Sequence, residues 1–238
     1  MIEHVNELGA VPPPVEGRSP GNAAVAVWSL DTTLDVVGGL PVSGAAKVLD
    51  AEEQERAGRL VRPGDRHRYV ASHLGLRVLL GMRLGLAPER VVLVREECRC
   101  GRGAHGRPAV AGGGVHFSLS HSGDVAYVSL AGVPVGIDVE RLPSAASVAD
   151  VLTSLHPAEA AELSGLPAAD LPAAFARVWA RKEACLKATG TGLALGLVEP
   201  FVGAAADPAP VPGWDLYDLP APAGYAAALA VRSRGVPA

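Results

Sequence analysis

Glu183 stands between two lysines in the run Trp179-Ala-Arg-Lys182-Glu183-Ala-Cys-Leu-Lys187, and the only other lysine is Lys47, against 18 arginines among 21 basic residues. A chain so biased toward arginine has lysine where a compact, titratable charge serves, because lysine can release a proton and arginine cannot. On a helix, Glu183 and Lys187 stand at i and i+4 and project from one face, where carboxylate and ammonium can meet each other or a shared ligand. The plain alternative is a surface ion pair worth about 0.3–0.5 kcal/mol.

Asp138 and Glu140 lie two apart in Val135-Gly-Ile-Asp-Val-Glu140, a strand pattern that sends both carboxylates out of one face beside Gly136, with Val135, Ile137 and Val139 toward the core. Adjacent acids repel unless a cation neutralises them, and Mg²⁺ is held by one or two carboxylates together with phosphate oxygens. An exposed strand end explains such a pair equally well. The third acid, Glu183, beside a lysine favours the metal reading.

Ser120-His121-Ser122 closes another strand pattern. Neighbours on a strand point to opposite faces, so a nucleophilic Ser-His pair is disfavoured. A phosphate contact, or a turn capped by its own serine hydroxyls, fits better. Three cysteines make no disulfide framework. Cys98, Cys100 and His105 fall one ligand short of a structural zinc site, and Cys185 reads as a small apolar residue inside its helix.

The elements that must carry these groups follow from periodicity. The proline- and glycine-rich residues 10–22 make the first 22 residues a loose arm. A strand is expected at Ala24–Leu30, a helix at 47–62 ended by Pro63-Gly64, a long helix at 65–86, and a brief strand at Val91–Val94. Strands at 115–120, 125–130 and 133–140 read as an antiparallel meander. A helix over 149–165 breaks at His156-Pro157, and another opens at Asp170-Leu-Pro172 and closes at Gly190. Its stripe is Phe175, Val178, Trp179 and Leu186, with Ala176, Ala180, Glu183 and Lys187 on a neighbouring face. Strands at 197–202, 213–219 and 224–231 end the chain. The expected fold is α+β, with halves at 23–141 and 142–238 that each run strand, helices, strands.

Composition narrows the function. With 238 residues, 49% hydrophobic and 19% charged, the chain is an ordinary globular protein. A net charge of −4 argues against broad nucleic-acid binding but leaves room for local arginine clusters around a phosphorylated ligand. There is no run of about 18 apolar residues and no signal-peptide pattern, so a cytoplasmic protein is expected.

Three motifs, Phe117-Ser-Leu-Ser-His121-Ser, Pro134-Val-Gly-Ile-Asp138-Val-Glu140 and Trp179-Ala-Arg-Lys182-Glu183-Ala-Cys-Leu-Lys187-Ala-Thr-Gly190-Thr-Gly192-Leu, occur in the order and approximate spacing of the Sfp-type 4′-phosphopantetheinyl transferases. The chain resembles that family over residues 24–232. The resemblance implies a monomer of two similar α+β halves related by pseudo-two-fold symmetry, with the active site in the cleft between them. It implies Mg²⁺-dependent transfer of 4′-phosphopantetheine from coenzyme A to a serine of an apo acyl or peptidyl carrier protein, releasing adenosine 3′,5′-bisphosphate. Asp138, Glu140 and Glu183 would hold the metal, Glu183 would also be the general base, and Lys187 would stabilise the diphosphate and protonate the leaving phosphate. Lys182 would add positive field. Ser120, His121, Arg68 and Arg107 match coenzyme A contacts, with Arg56 and Arg59 near a further basic pair. Glu53 departs from the family, standing where a lysine is common. A Mg²⁺-dependent phosphodiester or diphosphate hydrolase and a non-catalytic coenzyme A or carrier-binding module are the competing readings.

Overall fold

A computed structural model describes residues 4–13, 25–96, 106–192 and 197–233. The chain forms two compact units, one of residues 4–94 and 109–132, the other chiefly of 95–108 and 133–238.

In the first unit, β1 (Asn6–Glu7) lies parallel to β2 (Ala26–Asp31), followed by a small hairpin of β3 (Val36–Val37) and β4 (Leu40–Pro41). Helix α1 (Ala51–Arg59) opens with a reciprocal capping box in which Asp50 accepts from the Glu53 amide and Glu53 accepts from the Asp50 amide. Helix α2 (Pro63–Leu84) begins at Pro63, which needs no N–H partner in a first turn, and ends on Gly85 in the left-handed conformation. A short ribbon joins β5 (Leu93–Arg95) to β6 (Pro108–Val110), and β7 (His116–Ser122) turns tightly into β8 (Val125–Ala131). The sheet order is β1-β2-β8-β7. The buried side chains of α2, Leu74, Leu79 and Leu80 among them, share a core with Leu30, Phe117, Val128 and Leu130.

In the second unit, β9 (Val135–Arg141) is followed by α3 (Ala145–Val151), α4 (Pro157–Ser164) and α5 (Leu171–Thr189), then β10 (Trp214–Leu219) and β11 (Tyr225–Arg232), in the sheet order β10-β11-β9. In both units the last strand lies in the middle, between the first long strand and the one before it, so the connectivity repeats. The chain is therefore α+β, as expected. No helix among the described residues is long and apolar enough to cross a membrane.

Four expectations are corrected. Residues 4–13 are not a loose arm: Asn6 and Glu7 pair with Trp28 and Ser29, and Leu8 is buried in the core. The unit boundary falls at 132/133 rather than 141/142, because β9 pairs with β11 and not with β8. The expected meander is thus a β7–β8 hairpin, and its third strand belongs to the other sheet. Residues 197–202 form no strand. Pro200 lacks a ladder donor, and the carbonyls of Val198 and Pro200 accept instead from the buried Lys182. The Cys98–His105 loop lies outside the described residues.

Gly136 sets the depth at which α5 rests on β9. A Cβ there would overlap the Ala184 carbonyl oxygen and the Ala188 amide nitrogen, which are backbone atoms with no means of turning aside. The cross-strand partners of Gly136, Asp138 and Glu140 on β11 are Ala230, Ala228 and Ala226, so nothing bulky holds the helix off. Gly136→Ala is expected to cost at least about 1–3 kcal/mol through overpacking and to lower activity with it. Thermal unfolding and turnover both unchanged would contradict this packing argument.

Candidate active site

Helix α5 covers the face of β9 that carries the acids, so Asp138 does not occupy an exposed strand end: it is 2% exposed. The Lys187 Nζ donates to Asp138 Oδ1 at 2.6 Å, with the lysine side chain 30% exposed. Glu183, one turn earlier, is half-buried. Burial pushes its carboxyl above the usual range, the Asp138 charge pushes it further, and Lys187 partly offsets both. Glu140 is also half-buried, two residues along the same face. The four residues named from the sequence thus belong to one strand face and the helix laid over it.

The donor set suits a hard cation. Three carboxylates offer only oxygen, and Asp138 lies near enough to Glu183 to oppose its ionisation, a repulsion that a divalent cation relieves. Among the described residues, no three His, Cys, Asp or Glu side chains form a ready-made cage. Asp138, Glu140 and Glu183 are the residues that would hold Mg²⁺, which takes one or two carboxylates and completes its shell with water and phosphate oxygens.

Lys182 is the expectation the structure does not bring to the site. It is fully buried, with Nζ 2.8 Å from Glu159 Oε2, itself fully buried, and it donates to the Val198 and Pro200 carbonyls. Glu159 also accepts from the Val202 amide and, through the capping box of α4, from the His156 amide. Its neighbour Arg181 is equally buried, gripping Asp218 with two nitrogens and donating to the carbonyls of Gly203, Ala205 and Ala206. These two cations satisfy the irregular 198–206 segment and leave Lys187 to face Asp138.

Arg107 is held in a fork by Glu96, Nε to Oε2 at 2.8 Å and Nη2 to Oε1 at 3.1 Å, and Nη1 donates to the Ala188 carbonyl. Glu96 was not anticipated from the sequence; its place directly before the Cys/Gly/Arg loop was the available signal.

In the first unit, Ser120 is buried and His121 exposed on consecutive positions of β7, which separates their side chains as strand geometry requires. Arg68 pairs with Asp124 in the β7–β8 turn at 2.6 Å and with Asp65 at 3.5 Å. Arg56 and Arg59 lie exposed on α1, the latter paired with Glu55.

Glu53 serves structure. It accepts from Arg77 Nε at 2.6 Å and lies 2.8 Å from His73 Nδ1, while Arg77, 1% exposed, also reaches Asp50 and the Val91 carbonyl. Burial alone would raise the Glu53 carboxyl, but the His73 hydrogen bond, the Asp50 amide and the charges of His73 and Arg77 outweigh it and lower the carboxyl below 4.5. The folded state then binds fewer protons than the unfolded one, so this contribution is fully present above that value and is lost as pH falls through the lowered value. Glu53→Gln is expected to be less stable than the parent at pH 7, with the gap narrowing in denaturant titrations below 4.5. A gap independent of pH would remove the ionic contribution.

A strand-borne acid pair thus lies beneath a helix-borne Glu-Lys pair on an α+β scaffold, bringing three carboxylates and an ammonium to one strand face and the helix over it. Residues 134–222, which contain all four groups, match the 4′-phosphopantetheinyl transferase superfamily. The chain is 32% identical over 199 residues to the 4′-phosphopantetheinyl transferase HetI of Nostoc sp., covering 80% of this chain and 81% of that one. It is 38% identical over 125 residues to the 4′-phosphopantetheinyl transferase AcpT of Salmonella typhimurium, covering 50% and 59%. It is 28% identical over 151 residues to a 4′-phosphopantetheinyl transferase of Bacillus subtilis, covering 63% of each. The chain thus spans less than two thirds of the length of these last two relatives. It belongs to the 4′-phosphopantetheinyl transferase superfamily.

Proposed function

We propose that this chain transfers the 4′-phosphopantetheine arm of coenzyme A to a serine of an apo carrier protein, as a monomer and at the Asp138, Glu140, Glu183 and Lys187 cluster. The observation that carries the assignment is the Lys187 ammonium seated on buried Asp138, one helical turn from a carboxyl whose basicity is raised. In the reaction the serine oxygen bonds to the phosphorus bearing the pantetheine arm, the bond from that phosphorus to the bridging oxygen breaks, and adenosine 3′,5′-bisphosphate leaves with that oxygen. Glu183 takes the serine proton, directly or through water. Lys187 meets the departing phosphate and can hand it a proton, which an arginine could not do. Asp138, Glu140 and Glu183 would hold Mg²⁺, whose charge would neutralise the diphosphate.

Arg68, Ser120, His121, Arg56, Arg59 and Arg107 are the proposed contacts to the nucleotide end of coenzyme A, carried over from the family resemblance. Positioning and electrostatics supply most of the rate in such transfers. The test incubates the protein with coenzyme A, Mg²⁺ and apo-carrier, against controls lacking the carrier or containing a chelator. Carrier-dependent, chelator-sensitive release of adenosine 3′,5′-bisphosphate is expected. Release without carrier would instead make the protein a diphosphate hydrolase.

A further inference from the structure

The last turn of α5, which carries Lys187, is tied down at the next residue by two independent contacts. Gly136 admits the Ala188 backbone hard against β9. Arg107 Nη1 donates at 3.0 Å to the Ala188 carbonyl, one of the terminal carbonyls that have no partner within their own helix. The aliphatic stem of Arg107 runs over Gly190, the left-handed cap at φ 73°, where a Cβ would come within 3.6 Å of Arg107 Cδ.

The arginine is itself braced. Glu96 holds the guanidinium with both oxygens, a planar fork that fixes its orientation as a single contact would not. Backbone hydrogen bonds from Glu96 N to Arg107 O at 3.0 Å and from Gly106 N to Glu96 O at 3.1 Å hold the two residues opposite each other. The chain from backbone ladder to Glu96, Arg107, Ala188 and Lys187 is therefore continuous and made of directional bonds.

We infer that Arg107 is a positioning residue for Lys187, oriented by Glu96, so that this pair sets how well the lysine ammonium meets the phosphate. The inference rests on the proposed role of Lys187 but differs from the expectation that Arg107 chiefly grips the nucleotide. A phosphate-gripping arginine acts on affinity, and its replacement raises KM for coenzyme A. A positioning arginine acts on the reacting geometry, where a displacement of about 1 Å can cost as much as 100-fold in rate.

The experiment compares Arg107→Lys, Glu96→Gln and the double variant with the parent. Transfer kinetics are measured with coenzyme A and with its analogue lacking the 3′-phosphate, and hydrogen exchange is followed at the amides of the last α5 turn. Lysine keeps the charge and loses the fork; glutamine keeps the shape and loses the charge. Expected are a kcat lower by on the order of 10- to 100-fold in each single variant, an unchanged KM and unchanged preference between the two nucleotides, a double variant no worse than Arg107→Lys, and faster exchange in the last turn. A raised KM at unchanged kcat, or a collapsed preference for the 3′-phosphate, overturns the inference and makes Arg107 a ligand contact. If the parent transfers nothing, the functional proposal fails by itself. The exchange measurement then decides the clasp: faster exchange in Arg107→Lys supports it, and unchanged exchange overturns it.

Discussion

Glu183→Gln is expected to lower transfer by on the order of 10²- to 10⁴-fold, the usual contribution of a positioned base, while coenzyme A binding stays near that of the parent. The substitution preserves shape and removes one negative charge from a site where Asp138 opposes a second one. For that reason the folded state should not suffer: deleting a carboxylate whose ionisation is disfavoured by burial relieves the metal-free protein. Lost turnover with retained or improved thermal stability is therefore the signature. Turnover within a few-fold of the parent would remove Glu183 as the base.

The second large effect concerns stability. Lys182→Met leaves Glu159 charged, fully buried and without its cation, a situation that costs about 3–5 kcal/mol. At roughly 2–4 °C per kcal/mol for a chain of this size, a clear fall in Tm follows. Adding Glu159→Gln removes the stranded charge while still offering an oxygen to the Val202 amide, so the double variant should regain much of the loss. A Lys182→Met protein of normal Tm with raised KM for coenzyme A would show instead that this lysine meets the ligand.

The contrast between the two lysines shows how far the sequence could be read. The i, i+4 spacing of Glu183 and Lys187 and the alternation from Val135 to Glu140 placed the four groups on a helix face and a strand face correctly, because both depend only on local periodicity. Lys182 was grouped with them by adjacency. At about 100° per residue a helix turns it roughly 140° from Lys187, so the spacing itself argued for a separate face. Its partner Glu159 lies on another helix, and that pairing is tertiary. The strand pairing of β9 was hidden for the same reason. Neighbouring strands usually pair, and only the alanine run of β11, which leaves room for α5 over Gly136, marked the true partner. Likewise Asn6–Leu8 falls in the arm expected from the proline- and glycine-rich residues 10–22, although Leu8 fills a core position.

The central claim is that the Asp138, Glu140, Glu183 and Lys187 cluster moves phosphopantetheine onto a carrier serine. Its most direct test is intact mass spectrometry of apo-carrier proteins after incubation with the parent protein, coenzyme A and Mg²⁺, with Glu183→Gln in parallel. The claim predicts that a carrier gains the mass of one phosphopantetheine arm with the parent and none in the same interval with the variant. Carriers left at their original mass by the parent, or loaded equally by both proteins, would contradict it.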